Sequence, residues 1–479
     1  MTYSMNKADD VLPSRGIDCQ YFAEPLLIFG DNGMHIDPKS GIARYGPRSF
    51  MPARKHPSTV RAGFIGTADT IEKSQHWLEA NSLGVRGDVK HPEFPGYQID
   101  RGFFSKLEFD DDWIEQVSQS EMVELLSIRS SRDRFEAFVA SLDNKLRLLS
   151  EKDQVPQYVI IGLPNEIVRR CGSVDYHDKQ LGMVHRDLRR AVKAIAMKYH
   201  IPTQFLRQPT MEGKDSDHPA KIAWNFFTGL YFKAGGVPWG PVGLMPGTCY
   251  VGISFYRPLG SKFPKIQTSL VQAFDEHGEG LVLRGHDFEW DAEKEGSRAP
   301  HLTESQAYDL IQMVLARYQQ EMKQMPRRVV VHKTSQYWPK EREGFRSALS
   351  NRVAHYDLLS LSRQSTVRLI TTSKYPPLRG TRFSIENLDF VYTTGFLTEL
   401  SEYHGLHVPA PLRVSDHVGQ DTPREVLLKE VLILTKLNWN SARLGGLLPI
   451  TIKFSELVGD VLREIPPDRE PLPQFKFYI

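Results

Sequence analysis

Cysteine is scarce in this sequence. Its 479 residues include only three, Cys19, Cys171 and Cys249, and these lie far apart. Thiols so few and so scattered exclude a disulfide framework and a cysteine-rich zinc site, and they favour a reducing compartment. We therefore expect a cytoplasmic protein.

Excess charge and long apolar runs are also lacking. Lys and Arg total 60 against 58 Asp and Glu, which leaves a formal net charge of +2. Because the molecule as a whole carries almost no net charge, any basic binding site must be local. No apolar run is long enough to span a bilayer, and the opening residues, MTYSMNKADD, have no apolar signal core. These absences argue against a secreted or membrane protein.

The chain is built from strand-like runs that alternate with amphipathic helical stretches, the pattern of an α/β fold. The Pro/Gly-rich stretch 238–247 indicates a domain boundary near residue 245. We predict a Rossmann-like domain, with an N-terminal extension, over 1–245 and a mixed α/β domain over 246–479. The predicted strands are 62–65, 158–164, 201–206, 250–257, 281–285, 327–335, 366–372 and 390–395, and the predicted helices include 185–200, 224–236, 304–322 and 426–439.

Positive charge is concentrated in HRDLRRAVKAIAMKYH, residues 185–200. As a helix, this segment would place His185, Arg189 and Lys193 in one row, because residues four apart share a helix face. Gln204 follows just after it, and Lys233 ends the next predicted helix. Two interpretations fit these residue types, a solvated basic face and a pocket for a phosphate group.

The order of these residues resembles a known family. His185-x3-Arg189, Gln204 within IPTQ and Lys233 within YFKAGGVPW resemble the phosphate-binding motif of the MID domain of Argonaute proteins. The segments VGISFYR, RRVVVHKTS, PPLRGTR and KLNWNSARLGGLLPITIKFSEL follow in the order of PIWI-domain segments. The length leaves no room for the N and PAZ domains of long Argonautes, so the chain resembles the short prokaryotic class.

The resemblance implies a Rossmann-like MID domain followed by an RNase H-like PIWI domain. It implies that His185, Arg189, Gln204 and Lys233 bind the 5′ phosphate of a guide strand, with Arg189 in place of the usual lysine. It also implies a structural Mg²⁺ at the guide 5′ end, held by Gln204 and by the C-terminal carboxylate of Ile479. The cations expected to contact the nucleic-acid backbone are Lys193, Lys333, Arg379 and Arg382.

The resemblance further implies that nuclease activity is lost. RNase H-like cleavage needs several carboxylates, which hold two divalent ions at the scissile phosphate. Hydroxyl residues, Ser254 and Thr334, stand at two of the corresponding positions, and Glu456 falls near the last. We therefore expect degenerate catalytic positions and no catalytic residue.

The implied function is guide-RNA-directed recognition of invading single-stranded DNA without cleavage. In that class, the partner is an APAZ-containing effector, such as a sirtuin-like or TIR NAD hydrolase, that depletes NAD in defence against phages and plasmids. Two alternatives stay open. One is an active guide-directed nuclease that uses Asp287 or Glu289 with Glu456; the other is a stand-alone α/β enzyme acting on a phosphorylated small molecule.

Overall fold

The computed structural model describes residues 17–479 apart from 52–53, 180–181, 258, 260–265, 275–279, 298, 364, 373, 402, 404–406, 420–421 and 467–468. The strands are β1 (Cys19–Tyr21), β2 (Leu27–Ile28), β3 (Met34–His35), β4 (Thr59–Gly66), β5 (Tyr97–Gln98), β6 (Arg101–Gly102), β7 (Lys106–Glu108), β8 (Ile114–Gln116), β9 (Tyr158–Leu163), β10 (Ser173–Asp178), β11 (Gly182–Asp187), β12 (Thr203–Arg207), β13 (Gly240–Pro241), β14 (Thr248–Tyr256), β15 (Ile266–Phe274), β16 (Gly280–Glu289), β17 (Arg328–Lys333), β18 (His355–Ser362), β19 (Thr381–Ile385), β20 (Leu388–Val391) and β21 (Leu412–Val418).

The helices lie between these strands, as the alternating pattern predicts. They are α1 (Pro38–Tyr45), α2 (Ala68–Ser82), α3 (Gln119–Ser127), α4 (Ser131–Ser150), α5 (Asn165–Cys171), α6 (Leu188–Ala196), α7 (Gln208–Met211), α8 (Pro219–Lys233), α9 (Ala292–Glu295), α10 (Glu304–Met322), α11 (Pro339–Leu349), α12 (Arg424–Leu434) and α13 (Ile450–Leu462). Among the residues described, no helix is long and apolar enough to cross a bilayer.

The first half of the chain forms a parallel sheet. Its strand order is β12-β9-β4-β7, and β8 also pairs with β4, at residues further along that strand than those that pair with β7. Every pairing in it is parallel, and β9 is buried along its whole length, as expected for a sheet covered by helices on both faces. The turn between β4 and α2 shows why the helix begins where it does. The Thr67 side chain caps α2 by accepting a hydrogen bond from the Thr70 main-chain N–H at 3.3 Å. The predicted α/β class is confirmed.

The second half forms a nine-stranded mixed sheet in the order β1-β19-β20-β21-β18-β17-β14-β15-β16. Its centre, β14, β17 and β18, is parallel. Helix α13 packs closely over this centre at Gly252, where a Cβ atom would lie only 2.0 Å from the Thr451 carbonyl oxygen. The predicted strand over 366–372 is wrong, because these residues form no regular structure.

The two halves share one apolar core. A single buried cluster includes Phe64 and Trp224 from the first half and Tyr250 and Leu432 from the second. Strand β1, near the start of the chain, pairs with β19 and is therefore part of the second sheet. The N-terminal extension thus spans both halves, although the change from one large sheet to the other occurs near the predicted boundary, between β13 and β14.

Candidate phosphate-binding site

The basic segment 185–200 does not form one helix, which corrects the predicted row of cations. Strand β11 continues to Asp187, whose carboxylate accepts a hydrogen bond from the Arg190 main-chain N–H at 3.0 Å and so caps α6. His185 therefore lies on a strand, exposed to solvent, with its Nδ1 atom 2.8 Å from the Asp175 carboxylate. Its contribution to phosphate binding stays a prediction.

Three cations of this segment are neutralised by acids from elsewhere in the chain. Such pairs leave little charge for a ligand, so we interpret these three cations as ordinary paired charges. The pairs are Arg186 with Glu464 at 2.8 Å, Arg190 with Asp460 at 2.7 Å and Lys198 with Asp143 at 2.5 Å.

The remaining cations form what we call the cationic cradle: Arg189, Lys193 and Lys233. Lys193 and Lys233 are 5% and 1% exposed, whereas Arg189 is exposed. None of the three makes an ion pair with an Asp or Glu side chain of the described residues. Buried lysines almost always have a counter-charge, so two lysines without an acidic side-chain partner mark a place that suits an anionic ligand.

The cradle ammonium groups are held by oxygen atoms. Lys233 Nζ lies 2.6 Å from Gln204 Oε1, which also accepts a hydrogen bond from the Tyr158 hydroxyl at 3.0 Å. Lys193 Nζ donates to the main-chain oxygen of Ile479, the last residue of the sequence. The structure thus brings Gln204, Lys193, Lys233 and Ile479 together, and their role in phosphate binding stays a prediction. Sequence reasoning missed Tyr158, because an aromatic residue at the start of a buried strand reads as core.

The buried positive charges of the cradle repel one another, and this repulsion favours the binding of an anion. Burial, followed by the nearby positive charges of Lys233 and Arg189, holds the pKa of Lys193 well below its usual value. Burial and the charge of Arg189 lower the pKa of Lys233 in the same way. A phosphate group would supply the missing negative charge and accept charge-assisted hydrogen bonds from all three residues.

The predicted Mg²⁺ stays a prediction. Both expected ligand oxygens, Gln204 Oε1 and Ile479 O, accept hydrogen bonds from lysine ammonium groups. Mg²⁺ prefers carboxylate or phosphate oxygens and water, and the positive charges of the cradle would repel it. The donors present favour direct binding of an anion by the protein's own cations.

Three cations predicted to contact a nucleic-acid backbone have structural roles in this fold. Lys333 is 1% exposed and lies 2.5 Å from the Glu341 carboxylate. Arg379 is 3% exposed and is paired with Glu24 at 2.8 Å. Arg382 is partly exposed and is paired with Asp389 at 3.4 Å. The structure therefore does not place Lys333 or Arg379 on a channel surface, contrary to expectation.

Ser254 and Thr334, which we expect to be degenerate catalytic positions, lie on β14 and just after β17, neighbouring strands at the centre of the second sheet. Ile253 of β14 lies opposite Lys333 of the parallel strand β17, so Ser254 and Thr334 follow in the same register. The Ser254 hydroxyl is buried with no hydrogen-bond partner among the described residues, and Thr334 is exposed.

Two of the acids that could replace them have described side chains. Glu456 on α13 is paired with Arg363 at 2.7 Å, and Glu289 is exposed at the end of β16. The side chain of Asp287 lies outside the described residues. Among the side chains that are described, no group of three His, Cys, Asp or Glu ligands converges on Ser254 and Thr334.

A second basic surface, the cationic cleft, lies between α12 and α13. This cleft of about 250 Å³ is lined by Arg363, Arg443 and Lys453 and by the loop 438–448. Arg443 and Lys453 are exposed, and neither pairs with an acid of the described chain. The same loop reaches the cradle, because Asn440 Oδ1 lies close to Gly229, next to Gln204. Sequence reasoning missed this pair of cations, since isolated Lys and Arg residues carry no spacing signal.

Comparisons with known proteins relate this architecture to solved structures. No protein-family model and no curated protein sequence matches the chain. The structure of Clostridium butyricum Argonaute bound to a guide DNA and a 19-mer target DNA matches with a TM-score of 0.67 and 16% identity, over 97% of this chain and 55% of that one. Drosophila Piwi matches with a TM-score of 0.62 and 13% identity, over 96% and 56%. A. aeolicus Argonaute matches with a TM-score of 0.57 and 15% identity, over 96% and 55%.

These matches concern the fold. The chain spans about half the length of the Argonaute and Piwi chains that it matches. Over 97% of its length, this chain has the fold of Argonaute and Piwi proteins.

Proposed function

We propose that this chain binds a guide nucleic-acid strand by its 5′ phosphate and uses that strand to recognise a complementary target. The observation that carries the proposal is the cationic cradle, where two buried lysines have no Asp or Glu partner among the described residues and Lys193 contacts the main-chain oxygen of Ile479. Argonaute-like architecture supports it, because a protein of this fold has been solved with a guide and a target DNA.

The path from the cradle to the cleft supports a strand rather than a small molecule. The loop 438–448 carries Asn440 close to Gly229 and Gln204 at one end and lines the cationic cleft with Arg443 further on. A strand held by its terminal phosphate would meet this loop next, and Arg443 and Lys453 would contact its backbone. Such contacts are independent of sequence, so base pairing would supply the specificity.

The finer parts of the proposal follow the resemblance. The guide is RNA, the target is invading single-stranded DNA, and the chain does not cut it, because Ser254 and Thr334 are poor ligands for hard cations. Pairing activates an associated APAZ-containing effector, a sirtuin-like or TIR NAD hydrolase, in antiphage or antiplasmid defence. Activation requires that target binding change the affinity for the partner's active form.

The bound strand itself tests the proposal. We expect purified protein to carry a short nucleic acid of narrow length distribution with a 5′ phosphate, identified by end-labelling and nuclease digestion. Protein without any such strand, and with no preference for phosphorylated over hydroxylated oligonucleotides, would contradict the proposal and favour an enzyme acting on a phosphorylated small molecule. Cleavage of a complementary target with Mg²⁺ or Mn²⁺ would instead indicate an active nuclease.

Phosphate recognition should not depend on Mg²⁺. Since lysine ammonium groups already occupy the oxygens that would bind the ion, we expect the ratio of dissociation constants for 5′-hydroxyl and 5′-phosphate guides to change less than about twofold between Mg²⁺ and EDTA. Fluorescence anisotropy at constant ionic strength measures it. A tenfold or greater loss of the phosphate preference in EDTA would contradict this expectation and support the predicted Mg²⁺ site.

The cationic cleft should contribute to the salt dependence of binding. Each phosphate contact with a single strand steepens the plot of log affinity against log salt by about 0.7. Arg443→Gln combined with Lys453→Gln should therefore flatten that slope by roughly 1.4 while preserving the 5′-phosphate preference. The control is Arg346→Gln with Lys429→Gln, because both residues are exposed and ion-paired. An equal slope in the two double variants would exclude the cleft from the strand's path.

A further inference from the structure

A cluster of metal-binding side chains lies on the first half of the chain, outside the cradle and the cleft. It consists of Asp88, His91 and His218, and one ligand atom from each lies within 4.8 Å of the other two. The Asp88 carboxylate is 2.9 Å from His91 Nδ1 and 3.6 Å from His218 Nε2. Of the residues described, no other three His, Cys, Asp or Glu side chains converge in this way.

The turn over residues 85–94 positions two of the three groups, Asp88 and His91. Val85 and Phe94 close the turn through two main-chain hydrogen bonds of 2.9 Å. Within it, Asp88 Oδ1 accepts hydrogen bonds from the main-chain N–H groups of Lys90 and His91 at 2.8 and 2.7 Å. These bonds fix the carboxylate and the imidazole relative to each other before any ligand arrives.

Helix α8 supplies the third group and is tied to the same turn. His218 is the N-cap of α8, and its ring stacks on that of His91 with centroids 4.5 Å apart. The Trp224 indole, one and a half turns into α8, donates to the Pro92 and Glu93 carbonyls at 3.1 Å. The cluster is therefore held between two elements that already pack together.

The chemistry of the three groups suits a borderline divalent ion. An aspartate carboxylate is ionised at neutral pH. Two imidazoles and one carboxylate form a ligand set found in zinc sites, in which water completes a tetrahedron.

Binding would require small rearrangements. Two parallel imidazoles cannot both hold one ion in their ring planes, so one ring must rotate. Both can, because the His91 and His218 side chains are 32% and 26% exposed. His218 Nδ1 now accepts a hydrogen bond from the Ala220 N–H at 3.2 Å. Coordination through Nε2 would place the ring proton on Nδ1 and end this capping bond.

We infer that Asp88, His91 and His218 form a binding site for a divalent transition-metal ion of the zinc class, which fastens the 85–94 turn to the start of α8. Because α8 ends at Lys233, the ion would stabilise the helix that carries a cradle residue, although the site is independent of guide binding. The role of the ion is structural, since no substrate-binding group of the described residues has been placed beside it.

Zinc titration of the full chain, free of nucleic acid, tests the inference. We expect one Zn²⁺ per chain by equilibrium dialysis, a Zn²⁺-dependent rise in the unfolding midpoint, and a tetrahedral Co²⁺ absorption spectrum. His91→Ala and His218→Asn should each weaken Zn²⁺ binding at least about tenfold, the loss that even outer-shell partners of a metal ligand produce. Asn preserves helix capping, so His218→Asn should fold normally.

The matched control is His177→Ala, which removes an exposed histidine from β10 and should leave Zn²⁺ binding unchanged. The inference is overturned if wild-type protein binds no Zn²⁺ above the level of nonspecific association. It is equally overturned if the ion binds but its affinity and the Co²⁺ spectrum are the same in His91→Ala and His218→Asn as in the wild type.

Discussion

Guides with a 5′ phosphate should lose their advantage over 5′-hydroxyl guides when Arg189 and Lys233 are both replaced by methionine. Each residue would donate a charge-assisted hydrogen bond to the phosphate, worth about 1.5–3 kcal/mol, and 1.4 kcal/mol corresponds to a tenfold change in affinity. We therefore expect the phosphate preference to fall at least about a hundredfold. Competition between the two guides in a filter-binding assay measures it directly.

Affinity for the hydroxyl guide separates lost recognition from lost folding. It should change little in the Arg189→Met/Lys233→Met variant, because Gln204 keeps its hydrogen bond from Tyr158 and the cationic cleft is untouched. The matched control, Arg190→Met/Lys198→Met, removes two cations of the same segment that are paired with Asp460 and Asp143. If this control loses the phosphate preference as completely as the cradle variant, the cradle is not the phosphate site.

Replacing Arg328 with methionine should destabilise the second half of the chain by about 3–5 kcal/mol. Arg328 is 1% exposed and binds both oxygens of Glu430 at 2.7 and 3.0 Å. It also lies 3.2 Å from Asp357, which is fully buried. Removing the guanidinium would leave two carboxylates in the core without their cation. Denaturant unfolding followed by tryptophan fluorescence should detect the change as a lower midpoint.

Surface ion pairs provide the comparison for this stability effect. Arg190→Met breaks a pair whose side chains are 34% and 40% exposed, so it should cost no more than about 1 kcal/mol. Arg328→Met/Glu430→Gln should recover part of the loss, because one unpaired charge is removed. Equal midpoints for Arg328→Met and Arg190→Met would mean that the buried network does not stabilise the fold.

The sequence predicted the architecture well wherever hydrophobic periodicity was strong. Helix α10 has the predicted bounds, 304–322, because its apolar residues recur at helical spacing and Thr303 with Gln306 forms a capping box. The segment 366–372 is also rich in β-branched residues, yet it forms no strand. Local propensity cannot show whether a neighbouring strand is available to pair with it.

The binding site was predicted less completely, because charge alone does not reveal a partner. Gln204 and Lys233 were identified by their resemblance to a motif, and the structure places them 2.6 Å apart. Lys333 and Arg379 also lie in segments that resemble the family, but each is buried against a glutamate outside its motif, Glu341 and Glu24 respectively. Whether a lysine meets an acid or a ligand depends on tertiary contacts that spacing does not encode.

The pairing of β1 with β19 makes the two halves of this chain mutually dependent. Glu24, three residues beyond β1, lies 2.8 Å from Arg379 and 2.6 Å from Lys436, both buried in the second half. At the other end of the chain, Ile479 returns to Lys193 in the first half. A recombinant fragment starting at residue 246 would therefore hold two core cations without their counter-ion. We therefore expect the later half to fold only when the early segment is expressed together with it or is fused to it.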